Sequence, residues 1–503
     1  MASDRLSALD GSFLRLESAA AHMHVGSRGV FRPSPGRPRP TLDMLRASIE
    51  GRLRYAPRFR QRLAFPPAGL GEPFWVDDEH FDLRFHVRRL GDPYQPVSYA
   101  RFCELVDQEL SRPLDRRRPL WEVHLVPRLD DGRVGLAMKM HHAMVDGIAG
   151  VQLALLVFHA SADAEPEAPD QWSPRRAPGD AELALRAVAD SATESLRAAR
   201  GIAGLAGSPV SGGTRIAGSL RRAALAVGDD LLRAAPPAYL NRAIGPQRTL
   251  VGARLPLDRV LAIKRHAQVT HNDVCLALVT GALRDLARRR GETPQPMRAM
   301  VPVSVRADTE DGVPGNRISF AFVDLPLDMS APGAQLRSVH EQTTAFKRSE
   351  RPAGTESVLS ALRFAPSPVK TLAARLAGSA RAYNLTVSNV PGPRTPIYML
   401  GAELEETYPV VPLSEDHTLS VGIFTYADGL HFGLYAEPEA LPEVTALPAA
   451  LKRALRDLAR ATRPPPRRPR GAEANGDRRA ATTGPSSRRD LWPAGHVPER
   501  AEA

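Results

Sequence analysis

The chain has 503 residues, 43% of them hydrophobic, which excludes a chain that is disordered throughout and predicts more than one hydrophobic core. A net charge of +11 would suit a polyanionic partner, but no nucleic-acid-binding motif accompanies it, so we expect no nucleic acid. The N-terminus is charged and no apolar run reaches about 18 residues, so the sequence predicts neither a signal peptide nor a transmembrane helix. Only Cys103 and Cys275 are present, which excludes a disulfide framework and favours a reducing, cytoplasmic compartment.

Hydrophobic periodicity in the first part of the chain predicts a mixture of helices and strands. The stretch TLDMLRASIEGRLRYAPRF carries leucine and isoleucine on one helical face after Thr41, which predicts a helix with Thr41 as its N-cap. The stretch FWVDDEHFDLRFHVRRL, in which Phe81, Leu83 and Phe85 alternate, is predicted to be extended, and YARFCELVDQELSRPL is predicted to be a helix. Two strands, LWEVHLVPRL and RVGLAMKMHH, are predicted to be joined by the turn DDG and followed by an apolar helix over GIAGVQLALLVFHA.

The composition then changes to a linker and a second block. Residues 159–179 are rich in Ala, Pro, Asp and Ser, and two further helices are predicted before residue 235; the second of these is amphipathic and either docks on the core or lies in a lipid interface. A second series of helices and strands begins near residue 246 and ends in an amphipathic helix. We therefore predict three parts: an N-terminal domain (1–245, with a helical linker at about 159–245), a C-terminal domain (246–463) and a disordered Pro/Arg-rich tail (464–503).

The stretch HHAMVDG, between a predicted strand and a predicted helix, carries the main functional signal. Strand alternation points the rings of His141 and His142 to opposite sides, which argues against one shared metal ion, and no HExxH or Cys/His cluster supports zinc. A ligand pair made by a turn and a purely structural histidine pair remain open at this point. A neutral imidazole suits a general base, while Asp146 either holds the turn or pairs with an arginine, and Gly147 leaves room for close backbone approach.

These residues resemble a known family. HHAMVDG is similar to the HHxxxDG signature of the bacterial wax ester synthase/acyl-CoA:diacylglycerol acyltransferase family, which resembles the wider group of CoA-dependent acyltransferases. Further stretches resemble family blocks in order: LSALDGSFLRLESAAAHMHVG with Phe13 and Glu17, then RPLW, HNDVCLALVTGALR, MVPVSVR and SNVPGP. The resemblance covers about residues 4–460, and one departure from it is HTLSVGIFTYADG, which concerns the acceptor pocket.

The resemblance implies an α/β, two-lobed, chloramphenicol-acetyltransferase-like fold, with mixed sheets, helices and a channel between the lobes. It implies an O-acyltransferase that moves a long-chain acyl group from acyl-CoA to diacylglycerol or to long-chain alcohols, with acyl-CoA as substrate and no cofactor or metal. Insoluble substrates and the lack of a spanning helix lead us to expect peripheral attachment to a membrane or lipid-droplet surface. Two alternatives are an acyltransferase for another lipid or polyketide alcohol, and a non-catalytic lipid-binding protein of the same fold.

The resemblance also implies site residues. The catalytic set is His142 as general base, with His141, Asp146 and Gly147 beside it. The set that binds substrate or lines the channel is Asn272, Asp273, Arg306, Asn389 and Gly392. Two of these have competing interpretations: Asn272 either shapes the channel or caps the helix predicted at 273–290, and Arg306 either pairs with Asp146 or is solvated.

Overall fold

Two mixed β-sheets of six strands each form the frame of the protein in this computed structural model. The structure describes residues 5–144, 149–165, 167–169, 171–190, 192–193, 234–304, 318–348 and 367–463. Within these residues, no helix combines the length and the apolar character that a membrane span requires. Cys103 and Cys275 are both free thiols, as the sequence predicted.

The first sheet contains the strand that ends in the two histidines. Its strands are β1 (His24–Pro33), β4 (Val87–Arg89), β5 (Trp121–Val126), β6 (Val134–His141), β11 (Tyr398–Met399) and β12 (Ala402–Val410). They lie in the order β11-β12-β1-β6-β5-β4, and all neighbouring pairs are antiparallel except β4 and β5. Every residue of β6 is buried, so both faces of this central strand are covered. A separate hairpin is formed by β2 (Gln61–Ala64) and β3 (Phe74–Asp77).

The second sheet is built from the C-terminal part of the chain. Its strands are β7 (Thr249–Pro256), β8 (Met297–Ser304), β9 (Ile318–Leu325), β10 (Leu385–Pro391), β13 (Leu419–Tyr426) and β14 (Gly429–Ala436). They lie in the order β7-β14-β13-β10-β8-β9, with β10 parallel to both β8 and β13. The two-sheet α/β architecture predicted from the sequence is therefore confirmed.

Ten α-helices of the described residues have defined bounds and pack around the sheets. They are α1 (Ala8–Leu16), α2 (Leu42–Arg52), α3 (Leu83–His86), α4 (Tyr99–Leu110), α5 (Ala149–Val157), α6 (Leu257–Ala267), α7 (His271–Arg289), α8 (Pro332–Arg348), α9 (Ser367–Ala377) and α10 (Leu447–Ala461). A further helical stretch covers residues 180–190. The second predicted helix of the linker and the tail 464–503 lie outside the described residues.

Local sequence signals explain one helix and fail for another. The side chain of Thr41 accepts a hydrogen bond from the backbone of Met44 at the start of α2, so the predicted N-cap is confirmed. The extended segment predicted over FWVDDEHFDLRFHVRRL is confirmed at β3 and β4 but wrong in its middle, because Leu83–His86 is helical. Asp82 caps this short helix by accepting from the backbone of Arg84 at 2.9 Å, and such a cap gives the local chain an alternative to a strand.

The two sheets meet where β12 crosses three glycines. Gly252, Gly433 and Gly422 lie side by side on β7, β14 and β13. A Cβ atom on Gly433 would collide with the carbonyl oxygen of Pro409 in β12, and one on Gly252 would lie 2.6 Å from the ring of Tyr408. We call these three residues the glycine row; they bring the main chains of the two sheets into direct contact.

The chain does not pass through the two sheets in one order. β11 and β12 lie in the second half of the sequence but pair within the first sheet, next to β1. The C-terminal half therefore completes the sheet that carries His141. The predicted boundaries at residues 245 and 463 stay a prediction.

Candidate active site

The two histidines lie at the end of the central strand β6. His141 is the last residue of the strand and pairs with His24 of β1, and its backbone N–H donates to the carbonyl of Leu120 at 2.9 Å. The chain then turns into a 3-10 helix over His142–Met144, where the N–H of His142 donates to the carbonyl of Met23 at 2.8 Å. Both residues are therefore anchored by backbone hydrogen bonds from neighbouring segments.

The two rings occupy different surroundings because the strand ends between them, and not through the strand alternation that the sequence predicted. His141 has no exposed surface, whereas His142 is partly exposed. The ring of His142 stacks on Phe13 of α1, with ring centres 3.8 Å apart and planes 20° from parallel. Its Nδ1 atom is buried and has no hydrogen-bond partner among the described residues.

Burial decides the charge of His142. Loss of solvent lowers the pKa of this ring to about 4; its own backbone carbonyl acts in the opposite direction, and the neighbouring His141 adds to the lowering. The ring is therefore neutral at pH 7, the state in which an imidazole accepts a proton.

The ring of His141 has a hydrogen bond on one side and a carboxylate on the other. Its Nδ1 accepts the backbone N–H of Ala143 at 3.0 Å, and its Nε2 lies 3.4 Å from Oε2 of Glu17. The same carboxylate oxygen accepts a hydrogen bond from Nε of Arg116 at 2.7 Å. Burial alone would raise the pKa of Glu17, but the contacts of His141 and Arg116 outweigh it and lower this pKa, so the carboxylate is ionised.

Three predicted site residues cannot be placed relative to this centre. Asp146, Gly147 and Arg306 lie outside the described residues. The proposed pairing of Asp146 with Arg306, and the catalytic role of Gly147, stay predictions.

Asp273 has a structural role at the start of α7. Its carboxylate has no exposed surface and forms a capping box with Thr270, the residue that caps the helix. It also accepts from Nδ1 of His340 and from the hydroxyl of Thr343, both at 2.7 Å and both on α8. Asp273 thus ties two helices together, while its contact with substrate stays a prediction.

Asn272 and Asn389 lie in contact with each other. Asn272 sits inside the first turn of α7, so the interpretation of this residue as an N-cap is wrong; Thr270 takes that position. The Nδ2 of Asn389, on β10, donates to Oδ1 of Asn272 at 3.3 Å. Both residues are partly exposed, and two separate sequence blocks therefore contribute one polar surface.

Gly392 follows the end of β10. A Cβ atom there would collide with the ring of Phe424 and with the carbonyl oxygen of Thr425, so only glycine fits without a shift of the neighbouring strand. Its predicted place in the substrate channel is not tested by this packing.

One cluster in the described residues has the donor set of a metal site: Glu109, Glu122 and His124. Two positively charged side chains already lie next to these carboxylates. Nζ of Lys139 is 3.3 Å from Oε2 of Glu122, and a guanidinium nitrogen of Arg88 is 2.8 Å from the same oxygen. Burial would raise the pKa of Glu122, but the hydrogen bond from His124 and the two cations lower it to about 2. The cluster is best described as a buried ion-pair network.

Three residues around the histidines have no role in the site predicted from the sequence. Phe13 and Glu17 had been noted as part of the N-terminal block, and Arg116 lies two residues before the start of RPLW. The signal that could have singled out Glu17 is a charged residue directly after a short amphipathic helix, since such a group needs a partner when it is buried.

Comparison with solved structures defines the class of protein. The fold matches the wax ester synthase/diacylglycerol acyltransferase from Marinobacter aquaeolei VT8, with a TM-score of 0.65, 26% identity, and coverage of 91% of this chain and 99% of that chain. It also matches a starter condensation domain of rhizomide synthetase, with a TM-score of 0.55, 14% identity, and coverage of 91% and 94%. The protein thus has the two-lobed α/β fold of the chloramphenicol-acetyltransferase type.

Sequence comparison narrows the class to one family. Residues 6–275 match the wax ester synthase/diacylglycerol acyltransferase catalytic domain, and residues 314–459 match the WS/DGAT C-terminal domain. Two probable diacylglycerol O-acyltransferases of Mycobacterium tuberculosis are similar: one is 32% identical over 460 residues (90% of this chain, 98% of the relative) and one 31% identical over 473 residues (90% and 96%). The chain belongs to the wax ester synthase/diacylglycerol acyltransferase family. The family resemblance and the enzyme class predicted from the sequence, an O-acyltransferase, are thereby confirmed.

Proposed function

We propose that this enzyme transfers a long-chain acyl group from acyl-CoA to diacylglycerol, and also to long-chain alcohols, with His142 as the general base. The observation that carries the proposal is a neutral imidazole, on a residue that keeps some exposed surface, fixed at the end of a buried strand. The names of the family and of the mycobacterial relatives support the choice of substrates.

The chemistry assigned to His142 is proton transfer. The unprotonated ring nitrogen removes the proton of the acceptor hydroxyl while its oxygen attacks the thioester carbonyl of acyl-CoA. The tetrahedral intermediate then collapses, the carbon–sulfur bond breaks, and the imidazolium protonates the departing thiolate. An ester and free CoA are formed, the ring is neutral again, and no covalent enzyme intermediate or cofactor is needed.

The other predicted residues take supporting roles in this proposal. Asp146, paired with Arg306, fixes the turn after His142, and Gly147 leaves room for the substrates. Asn272 and Asn389, which contact each other, offer amide groups to the acceptor side of the channel, next to Gly392. Asp273 acts indirectly, because it holds the helix that carries Asn272.

The test is an acyl transfer assay with labelled palmitoyl-CoA and two acceptors, diacylglycerol and hexadecanol. We expect both esters from the wild-type enzyme and a loss of about 10²–10⁴-fold in kcat for His142→Ala. His266→Ala is the matched control, since His266 is exposed on α6. Near-full activity of the His142→Ala variant would remove this ring from the mechanism.

The same assay separates the two competing functions. Ester formation only with another class of alcohol would show that the acceptor is wrong and the mechanism right. Binding of acyl-CoA without product from any alcohol would favour a non-catalytic lipid-binding protein. The ring of His142, which can accept a proton, favours a catalytic function over a purely lipid-binding one.

We further propose that the enzyme works in the cytoplasm, attached peripherally to a membrane or lipid droplet. Leu185 and Val188, on the helical stretch 180–190, are 71% and 54% exposed, while Leu183 and Ala187 of the same stretch are buried. Exposed apolar side chains on a surface helix can enter a lipid interface. Flotation with anionic liposomes tests this: we expect wild-type protein to float and the Leu185→Glu/Val188→Glu variant to float less. Wild-type protein that stays in solution at low salt would contradict the proposal.

A further inference from the structure

We propose that Glu17 is a positioning residue for the acyl transfer: through His141, its carboxylate holds the turn that carries His142. This inference rests on the proposed role of His142 as the base, and it concerns a residue with no assigned part in the reaction. Three steps connect the carboxylate of Glu17 with the turn at His142.

The first step is the position of Glu17. It caps the C-terminus of α1, where its backbone N–H donates to the carbonyl of Phe13 at 3.0 Å. Phe13 is the residue that stacks on His142. One helix therefore contacts both histidines, with the aromatic ring against His142 and the carboxylate against His141.

The second step is the proton on His141. Nδ1 of this ring accepts the backbone N–H of Ala143, so the ring proton of the neutral form lies on Nε2, which faces Glu17 at 3.4 Å. Arg116 also donates to the same oxygen of Glu17 and to the carbonyl of Leu14 at 3.1 Å. The carboxylate is thus held in place by a guanidinium, with its oxygen beside the Nε2–H of His141, where the negative charge stabilises that proton.

The third step links His141 to the base. Ala143 directly follows His142 in the 3-10 turn, so the hydrogen bond from Ala143 to His141 closes the turn around His142. Without the carboxylate at position 17, only the hydrogen bond from Ala143 favours the Nε2–H form of His141, and part of the rings carry the proton on Nδ1 instead. That proton would face the N–H of Ala143, donor against donor, and the turn would open.

The competing explanation is that Glu17 serves only as an ion-pair partner of Arg116. In that case, the loss of Glu17 would lower the free energy of unfolding, and its effect on kcat would not depend on His141. Substitution of Arg116 does not separate these explanations, because Arg116 also lines a cavity of about 690 Å³ with Arg117 and Arg118. Glu17 and His141 are therefore the positions to change.

The kinetic experiment is a double-mutant cycle at saturating and subsaturating acyl-CoA. Glu17→Ala should lower kcat about 10–100-fold, the value of a hydrogen bond to a charged group expressed as a rate, and change KM less than about threefold. Glu17→Gln keeps an acceptor oxygen of the same reach and should recover part of this loss. His141→Asn keeps an acceptor for Ala143 but has no group that reaches Glu17, so adding Glu17→Ala to it should cost less than about twofold. Losses that multiply in the double variant, or equal losses for Ala and Gln at position 17, would overturn the inference.

A second measurement needs no turnover. Long-range ¹⁵N–¹H spectra of histidine-labelled protein report the tautomer of each ring, and the His141 signal is the one missing from His141→Asn. We expect the Nε2–H form in the wild type and a partial shift to the Nδ1–H form in Glu17→Ala. An unchanged tautomer in Glu17→Ala overturns the inference even if that variant unfolds more easily in urea.

The two proposals can fail separately. If His142→Ala keeps its activity, the proposed function falls, whatever the tautomer of His141. If His142→Ala is inactive while Glu17→Ala behaves like the wild type, only the positioning role of Glu17 falls.

Discussion

The pH dependence of acyl transfer follows directly from the surroundings of His142. Burial lowers the pKa of this ring to about 4, compared with a value of 6.5 for an unperturbed histidine. The neutral ring is the form that accepts a proton, so activity is present above the folded-state pKa and is lost as the pH falls through it. We therefore expect kcat/KM to decline on the acid side with an apparent pKa of about 4.

The difference in activity between a buried and an ordinary histidine base is largest near pH 5. With a pKa of about 4, about 90% of the rings are unprotonated at that pH, whereas an ordinary histidine would leave only about 3%. The assay measures initial rates of hexadecyl ester formation from labelled acyl-CoA below its KM, from about pH 4 to pH 8. Ester extraction is preferred to thiol detection because thiol reagents react slowly in acid.

Acid unfolding must be separated from protonation of the base. The control is enzyme held at each pH for the duration of the assay, returned to pH 7 and measured there. Full recovery together with an activity decline centred at about pH 6.5 would refute the reasoning, since it would show that the ring is solvated like a free histidine.

Three further predictions concern stability. Gly433→Ala should lower the free energy of unfolding by about 1–3 kcal/mol, because the new methyl group meets the main chain of Pro409. The control is Gly179→Ala, which has open space around it and should change this free energy little. Equal urea midpoints for the two variants would contradict the prediction. Asp273→Asn should lower the free energy of unfolding by about 1–3 kcal/mol, because the cap of α7 and the side chains of α8 lose a hydrogen-bond acceptor. The control is Asp258→Asn, at an exposed position. A similar shift of the urea midpoint in both variants would argue that Asp273 does not connect α7 and α8. Buried histidine rings whose pKa is lowered to about 4 bind fewer protons in the folded state than in the unfolded state between about pH 6.5 and pH 4. The free energy of unfolding should therefore decrease as the pH falls through this range. Urea midpoints that rise as the pH falls would refute this prediction. Besides His142, these rings are His86, His159 and His431.

Local signals predicted those parts of the fold that depend on neighbouring residues. Thr41 and the leucine periodicity after it place α2 correctly, and the turn at Gly132, with a φ of +86°, joins β5 to β6 as expected. The segment around Phe81 failed because alternation over five residues is short, and the ring of Phe81 is satisfied by stacking on His86 at 5.2 Å without a strand. β12 was missed because its alternating glutamates look solvent-facing, while its partner β1 lies far away in the sequence.

The candidate site shows the same division. Two adjacent histidines before an Asp-Gly pair indicated the candidate base, since that signal lies within seven residues of sequence. The contact of Asn272 with Asn389, and that of Glu17 with His141, arise only when distant segments meet in the fold. The sequence blocks that resemble the family contain most of these residues but do not indicate which of them are in contact.

The glycine row also determines how this enzyme can change shape. Side chains such as Tyr408 and Tyr435 pack between the two sheets and can change rotamers, but where Gly433 meets the carbonyl of Pro409 the main chains are in contact and no rotamer change makes room. We expect the two sheets to move as one rigid body, so any opening that admits a lipid tail must come from the helices and turns at the edge, such as α1 with its ring against His142. A change of specificity toward larger or smaller alcohols would then require substitutions in these peripheral segments and not in β12.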